Sequence, residues 1–250
     1  MKEQPKQSWI YGIHAVERLL KGSPERIEKI LVQRGRQDDA IASIQNQAKQ
    51  ETIPVNAVER KEIDKIAPGV HQGVAALCEA RQALTEKQLW LLLETIEEPL
   101  LLLILDGVTD PHNLGACLRT AEACGVHAVI VPKDNSVGLT PVVEKVACGA
   151  VELMPFAQVT NLARVMDRLK EQGTWIVGTD DEAPQTIFQL DYRGSTAMIM
   201  GSEGKGLRRL TKQNCDWLAS IPMAGKVESL NVSVATGVCL YEAVRQRMAE

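Results

Sequence analysis

Aromatic side chains are scarce: two Phe, three Tyr and four Trp in 250 residues. That is too few for rows of rings stacked on bases to dominate a binding surface. Long apolar runs are missing too. The longest, Leu100 to Leu105, falls far short of the ~20 residues that span a bilayer, and the polar N-terminus has no apolar segment of the signal-peptide kind. These absences predict a cytoplasmic protein that uses no membrane. There is no basic excess, since the formal net charge is -4, so bulk attraction to nucleic acid is not the design. The cysteines, at 78, 117, 124, 148, 215 and 239, include no C-x-x-C pair. None of His14, His71, His112 and His127 stands at ligand spacing, so no metal site is expected. Most of the thiols lie on apolar faces and read as buried and reduced.

Both nucleotide-binding glycine fingerprints are absent. The run Met200-Gly201-Ser202-Glu203-Gly204-Lys205-Gly206-Leu207 invites a phosphate-loop reading, but Leu207 stands where no such loop can continue, and Arg209 occupies the third-glycine place of a dinucleotide fingerprint. Three glycines in six residues still require a tight turn or close approach of backbone to a ligand.

What is present is a two-part organisation. Residues 1 to 66 carry a charge balance of +2 and the remainder -6, so the N-terminal part is the better half to face a polyanion. It reads as a compact α/β unit over 1–77, with residues 1 to 8 disordered. Its helices are predicted at Ile13 to Leu20, Asp38 to Gln50 and Glu59 to Ile66, and its strands at Ile27 to Val32, Pro54-Val55 and Gly73 to Leu77. Arg34 and Arg36 leave the first of these strands on a Gly-containing loop; a solvated loop is the plainer reading, and contact with phosphate oxygens the functional one. Residues 78–98 read as a linker that includes a helix over Leu84 to Ile96. From 99 to 250 strands alternate with helices. Strands are predicted at Leu100 to Leu105, Val129 to Val131, Leu153-Met154, Trp175 to Gly178, Ala197 to Met200 and Trp217 to Ile221. Helices are predicted at Leu114 to Cys124, Pro141 to Cys148 and Leu162 to Gln172, with a last one after Ser229 or Asn231. The pattern predicts a mostly parallel sheet with helices on both faces.

Three turns follow strand ends in this second part. The first, Asp106 to Gly115, holds Asp110-Pro111-x-Asn113-x-Gly115, with Arg119 in the helix beyond. The second is the glycine run 201–206. The third runs from Ile221-Pro222-Met223 to Ser229-Leu230-Asn231-Val232, where Ser229 and Asn231 are both good helix N-caps. Strand end, polar turn and helix start together form the usual ligand site of α/β folds. Taken alone, the first is better explained as a plain turn with Asp110 or Asn113 as the cap, and the third is as well explained by an ordinary capped helix.

The order and spacing of all three resemble the three motifs of the SpoU family, ribose 2'-O-methyltransferases with the SPOUT fold. The resemblance extends through Tyr11 to Val16 and His71 to Val74. It implies a small N-terminal L30e-like RNA-binding domain and a C-terminal α/β-knot domain closed by a trefoil knot; periodicity predicts no knot, and topology rules disfavour one. It implies S-adenosylmethionine held by Gly201, Ile221, Met223, Ser229, Leu230 and Asn231, with Arg119, Asn113, Glu203, Ser229 and Asn231 as catalytic positions. Arg34, Arg36 and Arg119 would contact RNA. The resemblance also implies a homodimer that completes the active site across its interface, and a guanosine in the P loop of the peptidyl-transferase region of 23S ribosomal RNA as target. Transfer-RNA methylases of the family share all three motifs, and a non-catalytic RNA-binding or ribosome-assembly role is the other reading.

Overall fold

The computed structural model describes residues 7–36, 38–67, 69–79, 81–202, 204 and 206–248. Glu203 lies outside the described residues, as do residues 1–6 of the segment expected to be disordered. The chain divides into two compact units: residues up to Gln82 together with Leu139–Leu153, and Ala83–Gly138 together with Met154 onward.

The first unit begins with β1 (Gln7–Tyr11), which covers two residues expected to be disordered. It continues through α1 (Ile13–Gly22), β2 (Ile27–Gln33), α2 (Asp39–Gln50), β3 (Val55–Val58), α3 (Arg60–Ile66) and β4 (Val74–Glu79). The sheet order is β1-β4-β2-β3, antiparallel except for the parallel β2–β3 pair. Val16, Leu19 and Leu20 of α1 and Ile41, Ile44 and Ala48 of α2 pack with Ile27, Ile30 and Val32 of β2. Each such aliphatic residue contributes roughly 1.5–3 kcal/mol on burial. Asp38 caps α2 by accepting from the Ile41 N–H at 3.1 Å. Arg36 is held within the fold: its Nε meets the Asp38 carboxylate at 2.5 Å, and its Nη1 donates to the Gln72 carbonyl. Arg34 is exposed and donates to Glu59 at 3.1 Å.

The second unit opens with α4 (Glu86–Leu93), β5 (Leu101–Asp106), α5 (Pro111–Ala123) and β6 (Ala128–Pro132). Next in the chain come α6 (Pro141–Val146) and α7 (Ala150–Leu153), which fold with the first unit. The sequence division at residue 99 leaves this segment in the C-terminal domain. Its packing explains the difference: Val143, Ala147, Ala150 and Val151 are buried, and the buried Glu152 carboxylate pairs with Arg26 and with Arg81 at 3.5 Å. The expected strand at Leu153-Met154 is therefore the end of helix α7, and the strand proper is β7 (Phe156–Val159). Then follow α8 (Leu162–Glu171), β8 (Trp175–Thr179), β9 (Gln185–Thr186), β10 (Thr196–Gly201), α9 (Arg209–Gln213), β11 (Trp217–Ser220) and α10 (Val232–Arg247).

These seven strands form one parallel sheet, ordered β7-β6-β5-β10-β8-β11-β9. Every residue of β5 is buried, as a central strand covered on both faces must be. Leu102 and Ile104 pack in the cluster with α4 and α8, while α5 and α10 pack together and α10 lies against β10. Arg247 fixes the far end of α10, its guanidinium donating at 2.8 Å to the carbonyls of Tyr192, Pro99, Leu100 and Gly194.

Candidate active site

β10 lies between β5 and β8 although β5 is far earlier in the chain. At such a crossover the loops at the carboxyl ends of neighbouring strands splay apart and leave a crevice. A cleft of about 600 Å³ opens here, walled by the turns after β8, β10 and β11 and by the start of α10. Gly201, Ile221, Met223, Ser229, Leu230 and Asn231 all line it. The six positions singled out in the sequence for a cofactor thus share one surface, although they are up to 30 residues apart.

Local chemistry dictates each wall. The loop after β10 closes on itself through Ser202 N–H to Gly206 O at 3.1 Å and Gly206 N–H to Ser202 O at 3.0 Å. Gly201 is obligatory there, because a Cβ would stand 2.2 Å from the Gly206 carbonyl carbon. Gly204 and Gly206 adopt φ of 76° and 61°, a region that favours glycine. A Cβ on either would project into open space, so their bare backbone faces the cleft. Asn231 caps α10, its Oδ1 accepting from the Ser233 N–H at 3.0 Å. Its Nδ2 donates to Asn113 Oδ1 at 3.0 Å. Asn113 is buried at the start of α5, whose own cap is Asp110. The first and third turns of the sequence therefore meet side chain to side chain.

Arg119 is exposed on α5 and is not among the residues lining the cleft. Six residues beyond Asn113, it lies about 120° around the helix axis. His112 is exposed, its backbone N–H donating to Asp110 at 3.0 Å. His71 and His127 are tied to Asp64 and Glu98 at 2.8 Å. Burial pushes the Cys117 thiol up to about 11 and Cys239 to about 12, so neither is a thiolate nucleophile at neutral pH. Cys148, by contrast, is exposed.

The sequence reading missed the wall formed by Thr179, Asp180, Asp181 and Glu182, and Lys212 opposite. Asp180 pairs with Lys212 and holds the Lys212 ammonium above its usual value. Acidic residues directly after a predicted strand were the available signal. Bare glycine backbone, three carboxylates and apolar side chains such as Met223 and Leu230 suit S-adenosylmethionine, which carries two cationic centres and an adenine. Among the described residues no cluster of His, Cys, Asp and Glu could hold a metal, and no helix is long and apolar enough to cross a membrane.

Known proteins share this architecture. The model of the SpoU rRNA Methylase family matches residues 100–241, and a model described as RNA 2'-O ribose methyltransferase substrate binding matches residues 9–84. The chain is 56% identical to the 23S rRNA (guanosine-2'-O-)-methyltransferase RlmB of Pseudomonas putida, across 96% of this chain and 97% of that one. It is 52% identical to the protein of the same name in Escherichia coli, across 95% and 98%. Among solved structures, the SpoU methyltransferase AviRb from Streptomyces viridochromogenes, in complex with AdoMet, superposes with a TM-score of 0.81 at 25% identity. That match spans 98% of this chain and 92% of AviRb.

Proposed function

The chain belongs to the SpoU rRNA methylase family, and from that premise we propose that it methylates the ribose 2'-oxygen of a guanosine in the peptidyl-transferase P loop of 23S ribosomal RNA. One observation carries the reading: the turns after β10 and β11 wall a single cleft, and the turn after β5 is bonded to it through Asn113 and Asn231. The full-length likeness to relatives named for 23S rRNA supports the substrate. The enzyme works in the cytoplasm, where that RNA is.

S-adenosylmethionine supplies a methyl group already activated by a cationic sulfur. Gly201, Ile221, Met223, Ser229, Leu230 and Asn231 would hold it, and their main task would be to orient it towards the ribose oxygen. Asn113, buried and bonded to Asn231, orients the attacking hydroxyl. Arg119 carries a planar guanidinium fork that suits phosphate oxygens. It clamps a phosphate beside the target ribose and stabilises negative charge on the 2'-oxygen as its proton leaves. Glu203 positions that guanidinium or takes the proton.

Since Arg119 lies outside the cleft of its own chain, the composite site is formed in a homodimer, where Arg119 of the partner subunit reaches the cleft. The first unit, residues up to Gln82 with Leu139–Leu153, binds the RNA, with Arg34 as a phosphate contact and Arg36 shaping the loop beside it. Incubating the purified protein with labelled S-adenosylmethionine and unmodified 23S ribosomal RNA should place one 2'-O-methyl mark on a P-loop guanosine. Label appearing in transfer RNA alone, or in no RNA, would overturn the assignment.

A further inference from the structure

Asp106 is the last residue of β5, fully buried, and Gly201 stands directly opposite it in the β5–β10 register. Its carboxylate meets three donors of one residue: the Arg208 backbone N–H at 3.2 Å, Arg208 Nε at 2.5 Å, and Arg208 Nη2. Arg208 is the N-cap residue of α9 and makes no side-chain cap of its own. The loop that walls the cleft therefore begins opposite Asp106 and ends bonded to it. Directly after Asp106, Gly107 (φ 89°) starts the turn towards Asn113, packed so closely on Ser202 that a Cβ would lie 3.4 Å from the Ser202 side chain.

The pair is a weak source of stability, because desolvating the Asp106 carboxylate offsets its attraction to a half-exposed guanidinium. What a forked guanidinium on a carboxylate provides is fixed geometry. We infer that Asp106 is a positioning residue, which through Arg208 sets the cleft-facing loop after β10 and couples it to the turn carrying Asn113. The inference rests on the proposed methyl transfer and assigns to it a residue pair outside the positions already named for cofactor and catalysis. Asp106 touches neither cofactor nor RNA; it acts by holding the neck of the loop, so that the backbone of Gly204 and Gly206 faces the cleft in one conformation. Disturbing the pair loosens the cofactor wall and leaves the RNA-binding unit as it was.

The experiment measures S-adenosylhomocysteine affinity by calorimetry and steady-state methyl transfer to 23S ribosomal RNA for the full chain. The variants are Asp106→Asn, Arg208→Gln, their double, and Arg209→Gln as control. Arg209 is exposed and bonded to Gln213 on its own helix. The single variants should weaken the ligand and raise KM for S-adenosylmethionine by about tenfold or more, with KM for RNA unchanged. The double variant should lose far less than the sum of the singles, since two amides of similar shape can bond each other. The control should match the wild type. Should Asp106→Asn fail to fold, Arg208→Gln keeps the test alive, because its side chain is half-exposed and its backbone N–H still serves Asp106. A lowered melting temperature with unchanged KM values in both single variants would overturn the inference alone. A wild type that neither binds the ligand nor methylates RNA would overturn the proposed function and the inference with it.

Discussion

Glu144 carries an oxygen that is buried without a hydrogen-bond partner among the described residues. Burial first, and then the neighbouring Glu152 carboxylate, push its pKa up to about 7, against the opposing pull of Arg26 and Arg81. A raised carboxyl pKa means that the folded state keeps a proton which the unfolded chain releases near 4.5. The stabilisation is complete below that value and is lost as pH rises from there through about 7, by at most about 3 kcal/mol. Glu144→Gln removes the titration, so its melting temperature should gain on the wild type between pH 5 and pH 7.5; parallel curves would mean the carboxyl is solvated. Asn231 tests the site at the same scale. Asn231→Ala removes the α10 cap, costing about 1 kcal/mol, and the bond to Asn113 as well. Turnover should therefore fall far more than thermal stability does, a contrast that calorimetry and a methylation assay would settle together. Such side-chain roles were only half legible in the sequence. Asn231 and Ser229 were equal candidates for the cap until geometry chose Asn231, and nothing in the spacing announced that Glu144 would be buried beside Glu152.

At the scale of elements, legibility followed length and punctuation. Helices with a capping side chain before them and glycine beyond them were readable: Asn161 opens α8 and Asp110 opens α5, and both caps are made. The continuous apolar run of β5 was equally plain, because a strand buried on both faces needs no alternation. Short apolar stretches were not readable. Ala150–Leu153 has no period long enough to separate helix from strand, and its form is set by the first unit against which it packs. β1 escaped notice because its burial comes from pairing with β4, nearly 70 residues later in the chain, a contact no local pattern encodes. The loop after β10 shows the reverse case, in which composition announced a tight approach before its partner was known. Gly201→Ala would put a methyl within van der Waals overlap of the Gly206 carbonyl. Overpacking of this kind costs about 1–3 kcal/mol. The cleft should lose measurable affinity for S-adenosylhomocysteine while the first unit keeps its own RNA affinity. Full ligand affinity in that variant would show that the loop can open without consequence.

For the whole molecule the decisive question is which chain supplies Arg119. Val234 and Tyr241 on α10 and Met248, its C-cap, follow one another at seven-residue intervals and are 52%, 55% and 79% exposed. Residues seven apart differ by only ~20° around a helix, so these three form one apolar stripe on the helix that begins at the cleft. A stripe facing another copy of itself makes a self-complementary two-fold contact, and a carboxylate placed in it stands against its own copy, while Arg245 four residues on is already held by Glu242. Tyr241→Glu should turn a dimer into a monomer by sedimentation and abolish methyl transfer with little change in melting temperature. Subunit mixing separates the two claims joined here. Arg119→Ala and Asn231→Ala protomers should each be inactive alone. If Arg119 acts across the interface, random exchange makes half of all dimers mixed, and each mixed dimer owns one intact site of two, so activity returns to about a quarter of wild type. If Arg119 acts within its own chain, every site keeps one lesion and nothing returns.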